Sequence, residues 1–300
     1  MKTFLTFLLF FLVECWVWII PETLLVKVGR GIGLLCYFLK LRKSVVRKNL
    51  EIAFGEVMEA PQREQLCKEI YLNLGNVLFE ILLMSKIQPE NLGRYIKIDG
   101  LEQINEAFKE GKGIILAGGH FGHWELMTAA ISRFVTPVYG YAGMQKNQFF
   151  DHKINQIRQK FGTVTISKGK TSVRAMVKAL RKNKLVGIIG DLNVPHQHLF
   201  VDFFGKRASM GQGLPALTIK YKTPLFFAWN TRVGPLQHHA RIIRLDYSVT
   251  GDEEKDIQMI AQRISSQLEA VVRENPDHYF WVNKRWKTRP TGETTPPPYY

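Results

Sequence analysis

The chain has 300 residues, 46% of them hydrophobic and 22% charged, with a formal net charge of +15. That length buries a substantial core, and the charge surplus calls for an acidic partner: nucleic acid, anionic lipid or an acidic protein. Three cysteines, Cys15, Cys36 and Cys67, form no C-x-x-C pair; this excludes a disulfide framework and a cysteine zinc site, and places the chemistry in a reducing compartment.

The N-terminus is the most apolar part. Thr3–Ile20, "TFLTFLLFFLVECWVWII", has only Thr3, Thr6 and Glu14 as polar residues. As a helix it spans about 27 Å, just enough to cross a bilayer. Only Lys2 precedes it as a basic residue and no A-x-A-like site follows, which favours an uncleaved anchor over residues 1–22 rather than a signal peptide. Pro21 ends the run. Thr23–Leu39 is again apolar but carries Lys27 and Arg30, the pattern of an amphipathic helix on a membrane surface. The basic cluster Arg42, Lys43, Arg47 and Lys48 then puts everything after the anchor in the cytoplasm. Pro61–Met84 has helical spacing, and completes a membrane-proximal helical region over 23–90.

From residue 91 to 290, short apolar runs alternate with amphipathic helices. "YIKI" precedes "LEQINEAFKEG"; "GIILAGG" precedes "HWELMTAAISRF"; "PVYGYA" precedes "FFDHKINQIRQKFG"; "TVTI" precedes "KTSVRAMVKALRKN". "LVGIIGD", "GLPALTIKYK", "PLFFAWNTR" and "RIIRLDY" follow, then a long helix over roughly Glu253–Glu274. This alternation predicts an α/β domain: a mixed, mostly parallel sheet flanked by helices. No internal repeat is evident, and residues 291–300, "TGETTPPPYY", form a loose tail.

Chemistry concentrates in "AGGHFGHWEL". His120 ends a predicted strand and stands before a helix, where ligand sites of open α/β sheets collect. The spacing to Glu125 is H-x-x-x-x-E. On an unbroken helix such positions lie about 140° apart, so the two pair only if the chain turns at Gly119–Gly122. Glu125 would then fix the imidazole tautomer and leave the other nitrogen as a base. A polar pair at a helix cap is the bland alternative. A metal site using His120 and His123, with His196 or His198 from a loop, lacks a convincing third ligand. Asp191 ends a second predicted strand, as a site-wall residue or a turn Asp.

Over Ser167–Lys184, Lys170, Arg174, Lys178, Arg181 and Lys182 fall within about 120° of helical arc, opposite Val173, Met176, Val177 and Leu180. The basic face is either solvated or a dock for lipid headgroups, a sugar phosphate or an acidic carrier protein. "NKRWKTR", with Trp281 and Trp286 interleaved, suits a membrane interface. Nucleic acid would suit the same composition but not an anchored chain.

Five stretches, in order, resemble the late acyltransferases of lipid A biosynthesis, within the lysophospholipid-acyltransferase-like superfamily. These are "SVVRKNLEIAF", "GKGIIL", "HFGHWE", "LRKNKLVGIIGDLN…VDFFGKRASMGQGLPAL" and "HYFWVNKRWKTRP"; they run in order from about residue 40 to 290 and so span most of the chain. Two departures stand out. "GDLN" keeps Asp191 but not the family's Pro-Asp-Gln-like neighbours, and "YAGMQKNQFF" offers Lys146 where the family often has an arginine. The resemblance implies a glycerolipid-acyltransferase-like fold and O-acyl transfer without cofactor or metal. It implies acyl carrier protein as donor, an anionic lipid A precursor as acceptor and a place at the bacterial inner membrane, among its lipids. It implies His120 and Glu125 as the catalytic pair, with Asp191 and Lys146 at matching positions toward substrate; the basic helix face adds Arg174, Lys170 and Lys178 as substrate-binding candidates. Three other readings stay open: an acyltransferase for another glycolipid or a lysophospholipid, a catalytically dead membrane-binding protein on the same scaffold, and a metal hydrolase.

Overall fold

The computed structural model describes residues 19–145, 147–196 and 198–293. The predicted anchor over residues 1–22 lies almost wholly outside the described residues, as do Lys146 and residues 294–300 of the predicted tail. Among the described residues no helix is long and apolar enough to cross a membrane.

Three helices come first: α1 (Glu22–Phe38), α2 (Lys43–Phe54) and α3 (Ala60–Leu83). α3 opens with Pro61 in its first turn, while the Gln62 side chain accepts from the Glu59 amide at 2.9 Å, half of a capping box. α1 and α3 meet backbone to backbone. A Cβ at Gly33 would stand 2.1 Å from the Tyr71 carbonyl oxygen, so only glycine allows this approach. The outer face of α1 exposes Leu24, Leu35 and Phe38 beside Lys27 and Arg30, in keeping with the amphipathic helix expected over Thr23–Leu39.

The α/β part contains β1 (Ile96–Asp99), α4 (Leu101–Phe108), β2 (Ile114–Gly118), α5 (Trp124–Phe134), β3 (Val138–Ala142), α6 (Gln148–Lys160), β4 (Val164–Ser167), α7 (Ser172–Arg181) and β5 (Leu185–Ile189). Then come β6 (His198–Phe203), β7 (Lys206–Gly211), α8 (Gly213–Tyr221), β8 (Leu225–Gly234), β9 (Gln237–Arg244) and α9 (Glu253–Glu274). The seven-stranded sheet has the order β1-β9-β8-β2-β5-β3-β4. β8, β2, β5, β3 and β4 run parallel to one another, while β9 turns back antiparallel to β8 and carries β1 with it. The reversal follows from the short Pro235–Leu236 link, since only antiparallel strands can join through two residues. The mixed, mostly parallel sheet expected from the alternation is present. His198 corrects one expectation: it opens β6 rather than lying on a loop.

The central strands are buried on both faces, as parallel strands covered by helices must be. In β2, Ile115 and Ala117 face one core, and Ile114 and Leu116 face the other. α3 passes the sheet edge, with Leu66 and Ile70 in the first core and Ile81 and Leu83 in the second.

Three of the sequence motifs converge in the first core. Phe54 of α2 packs on Phe204 (centroids 5.1 Å) and Trp281 (5.8 Å), and Phe203 packs on Trp286 (5.7 Å). The turn between β6 and β7 is Phe204–Gly205, both at positive φ, which suits the twist of a tight hairpin. Trp281 and Trp286 are fully buried. They therefore cannot sit at a membrane interface as their basic neighbours suggested; each indole closes the core under the C-terminal segment, and Trp281 Nε1 donates to the Pro276 carbonyl at 2.6 Å.

One buried ion pair ties α3 to the sheet. Glu80 accepts both terminal nitrogens of Arg232 on β8, the Nη2–Oε2 distance being 2.7 Å, and His238 Nε2 lies 3.3 Å from Oε2. Burial disfavours the Glu80 carboxylate, but His238 and Arg232 outweigh it and hold its pKa at about 2. Glu80→Ala strands the Arg232 charge and should cost about 3–5 kcal/mol in urea unfolding. Glu80→Gln keeps a hydrogen-bond acceptor and should cost less.

Candidate active site

The site grows from the ends of two adjacent parallel strands. β2 and β5 pair in register, Gly118 opposite Ile189, so residues just beyond them meet at one edge of the sheet. His120 and Asp191 are those residues. His120 Nδ1 lies 2.6 Å from Asp191 Oδ1, and the His120 amide donates to Asp191 Oδ2 at 3.0 Å. With Nδ1–H committed to the carboxylate, the free lone pair is on Nε2. The imidazole keeps 21% exposure while Asp191 keeps 1%, so the base faces outward and its partner is shielded.

The charges are coupled. Burial works against the imidazolium; the Asp191 charge and hydrogen bond, with a smaller pull from Glu125, outweigh it and raise the His120 pKa above 6.5. Burial likewise disfavours the Asp191 carboxylate, but His120 and, more distantly, Arg285 hold its pKa below the usual range.

The turn that presents His120 is fixed from three sides. Gly122 has φ +56°, and a Cβ there would stand 2.1 Å from the Asn230 carbonyl oxygen. The Asn230 side chain accepts from the His123 amide at 2.8 Å and donates to the His123 carbonyl at 3.0 Å. The C-terminal segment closes over the top, with Phe280 N donating to His120 O (3.0 Å) and Gly122 N to His278 O (2.9 Å). Trp124 and Phe280 flank the imidazole at ring centroid distances of 5.2 and 5.8 Å.

Glu125 does not meet His120 as its partner. It sits in the first turn of α5, buried, and forms a two-pronged pair with Arg158 of α6: Nε–Oε2 2.9 Å and Nη2–Oε1 2.5 Å. The chain does turn at the glycines, as expected. The turn, however, delivers the imidazole to β5 and leaves Glu125 pointing at α6. His123 is the N-cap of α5, its Nδ1 accepting from the Leu126 amide at 3.2 Å. Complete burial pushes its pKa down to about 3, so it is neutral. Its ring lies 5.5 Å from that of His238. Among the described residues no group of three or more His, Cys, Asp or Glu side chains is placed to share a metal ion.

Beside the turn opens a small cleft of about 70 Å³ along β2, β5 and β3. Gly118, Trp124, Glu125 and Arg158 line its polar end; Leu116, Met127, Val138, Gly140 and Ile188 line the rest. The oriented base thus stands next to Trp124, which lines this apolar cleft together with the paired Arg158 guanidinium.

A family description, bacterial lipid A biosynthesis acyltransferase, matches residues 1–288. The chain belongs to that family. Relatives of this acyltransferase include the lipid A biosynthesis palmitoleoyltransferase of Escherichia coli (strain K12), 25% identical over 93% of this chain and 90% of the relative. The lauroyltransferase of the same organism is 24% identical over 91% and 88%. A lipid A biosynthesis acyltransferase of Haemophilus influenzae (strain ATCC 51907 / DSM 11121 / KW20 / Rd) is 26% identical over 89% and 81%.

In this acyltransferase the other anticipated residues are dispersed. Arg174 and Lys178 stand exposed on α7, Lys170 is exposed just before it, and none lines the cleft. The helix is amphipathic as expected, except that Val173 is also exposed. Lys146 lies outside the described residues. Two residues went unforeseen. Arg158 reads in sequence as one more cation near the end of a charged helix; its place beside the buried Ile154 and Ile157 was the available sign. Asn230, in the middle of a buried strand, had the mark of a polar residue where none should be.

Asp191→Asn should move the acid limb of the kcat/KM pH profile to lower pH, because the imidazolium loses the carboxylate that raises its pKa. It should also cost about 100-fold or more in rate. Glu125→Gln should shift the limb less. Steady-state profiles of both variants check the order.

Proposed function

We propose that this protein transfers a fatty acyl group from an acyl carrier protein thioester to a free hydroxyl of a lipid A precursor, at the cytoplasmic face of the bacterial inner membrane. The observation that carries this reading is the 2.6 Å bond from His120 Nδ1 to Asp191, next to the Trp124 wall of an apolar cleft. His120 Nε2 takes the proton of the acceptor hydroxyl as its oxygen attacks the thioester carbon. Asp191 holds the tautomer and stabilises the imidazolium, as the carboxylate of a triad does. The tetrahedral intermediate collapses, the C–S bond breaks, and the departing thiolate takes the proton back from His120. Glu125 adds negative charge toward the imidazolium and fixes Arg158, whose guanidinium, with the positive end of α5, opposes the charge on the oxyanion.

Direct transfer fits the cysteines. Cys67 is fully buried, and burial pushes its thiol up to about 11, the opposite of an activated nucleophile. The relatives' names, palmitoleoyltransferase and lauroyltransferase, support a long acyl chain, and the cleft beside α5 and α6 is the candidate place for its first carbons. The exposed basic face at Lys170, Arg174 and Lys178 suits an acidic carrier, and Lys146 remains a candidate for the acceptor's phosphates. Membrane attachment is supported by the apolar residues 3–20 and by the exposed apolar face of α1 that follows them.

With detergent-solubilised protein, labelled acyl carrier protein thioester and an under-acylated lipid A precursor, wild type should move label into the lipid. His120→Ala should do so about 10²–10⁴-fold more slowly. Equal transfer by the two would remove His120 from the chemistry. The cleft gives a second expectation. A Cβ at Gly140 meets only Thr163 Cγ2, at 3.7 Å, so Gly140→Leu fits and fills the trough. In competition between donors it should shift preference toward shorter chains; an unchanged ratio would place the chain elsewhere.

A further inference from the structure

The segment that closes over His120 carries buried guanidinium donors with no hydrogen-bond partner among the described residues. Arg285 is 2% exposed. Its Nη1 donates to the Ser209 carbonyl, but its Nε is buried without a hydrogen-bond partner among the described residues. Four residues on, Arg289 buries both Nη1 and Nη2, and neither has a hydrogen-bond partner among the described residues. A guanidinium cannot shed its proton in a protein. A buried charged donor left unpaired costs more than a neutral one, so such groups are paired or meet a ligand.

The neighbouring acceptors are already used. Arg285 is close enough to lower the Asp191 pKa, yet both Asp191 oxygens are committed to His120. Asn193 Oδ1, two residues further along, takes the Thr288 amide at 2.7 Å and the Ser209 hydroxyl at 3.3 Å. That Thr288–Asn193 bond also locates the orphan charge, because it pins the residue before Arg289 to the loop that leaves β5 just after Asp191. The Arg289 Nη1 and Nη2 donors, unpartnered among the described residues, match the paired oxygens of a phosphate.

We propose that Arg289, assisted by Arg285 Nε, binds a phosphate group of one reactant and makes the C-terminal segment an anion-binding wall of the active site. This rests on the acyl-transfer reading and adds a recognition element to it. Two reactants carry the chemistry: the phosphorylated glycolipid acceptor, and the phosphodiester arm that tethers an acyl chain to its carrier.

The test compares full-length wild type, Arg289→Gln and Arg289→Lys in detergent. The first readout does not need activity. Thermal unfolding is followed in inorganic phosphate and in chloride at equal ionic strength. Phosphate should raise the wild-type melting temperature, raise that of Arg289→Lys less, and leave Arg289→Gln unmoved. The second readout is KM for the glycolipid with and without its phosphates, and for an acyl carrier protein thioester against an acyl-pantetheine lacking phosphate. Arg289→Gln should raise KM for one phosphorylated reactant by about 10- to 100-fold, with the effect on KM rather than kcat, and should no longer distinguish that reactant from its phosphate-free form. Whichever reactant loses its advantage is the source of the phosphate. The proposal falls if phosphate stabilises wild type no more than chloride does, or if both variants discriminate as wild type does. It also falls if Arg289→Lys and Arg289→Gln lose stability and active fraction equally at unchanged KM, which marks a purely structural arginine. If phosphate protects wild type and not Arg289→Gln while no acyl transfer occurs, the anion site stands and the acyl-transfer reading fails.

Discussion

Everything in the site depends on how the short turn after β2 is held. A histidine beyond a strand end has no secondary structure of its own to orient it. Here two main-chain hydrogen bonds from residues 278–280 do so, at 2.9 and 3.0 Å. That segment is itself held by Asn49 of α2, whose amide donates to the carbonyls of Trp281 (2.6 Å) and Asn283 (2.7 Å). A fully buried asparagine is costly unless its donors are used, and here they are used on the one piece of chain that covers the catalytic turn. The aromatic cluster of Phe54, Phe203, Phe204, Trp281 and Trp286 supplies the apolar area under that clasp.

The two carboxylates near His120 are divided by direction. Asp191 approaches from the neighbouring strand and meets the ring edge-on, so it sets the tautomer and favours the protonated form. Glu125 is nearer in sequence, but it starts a helix that leaves in another direction, and Arg158 takes it up. The guanidinium neutralises a carboxylate that would otherwise add a second full negative charge beside the base. The imidazole is thus held by one close anion and feels the other at a distance, which moderates how strongly it retains the proton it must later return.

Much of this was legible in the sequence, and the rest was hidden for identifiable reasons. β2, β5 and α9 were readable from apolar period and length, and the prominence of His120 and Asp191 from their place at strand ends. Their pairing was not, because it needs β5 to lie beside β2, and strand order is a tertiary choice that local pattern does not encode. The i, i+5 spacing made Glu125 the obvious partner, since sequence proximity was the available measure. Trp281 and Trp286 were misplaced at a membrane interface because composition shows Lys and Arg beside them, but not the phenylalanines from residues 54, 203 and 204 that enclose them. β6 carries the inward alternation Leu199, Val201, Phe203, yet its entry through Pro195, His196 and Gln197 reads as loop.

The Asn49–Trp281 hydrogen bond has a consequence for timing. It joins residues 232 positions apart, so the later partner leaves the ribosome long after the earlier one. At about 5–20 residues per second, some 10–50 s separate the synthesis of the two ends of the clasp. Through that interval the apolar N-terminus has already emerged and can find its place, while the turn bearing His120 has no cover and the base no fixed orientation. The cover over the catalytic turn can therefore form only after residue 283 has emerged, and a translation product that stops before residue 278 would lack it.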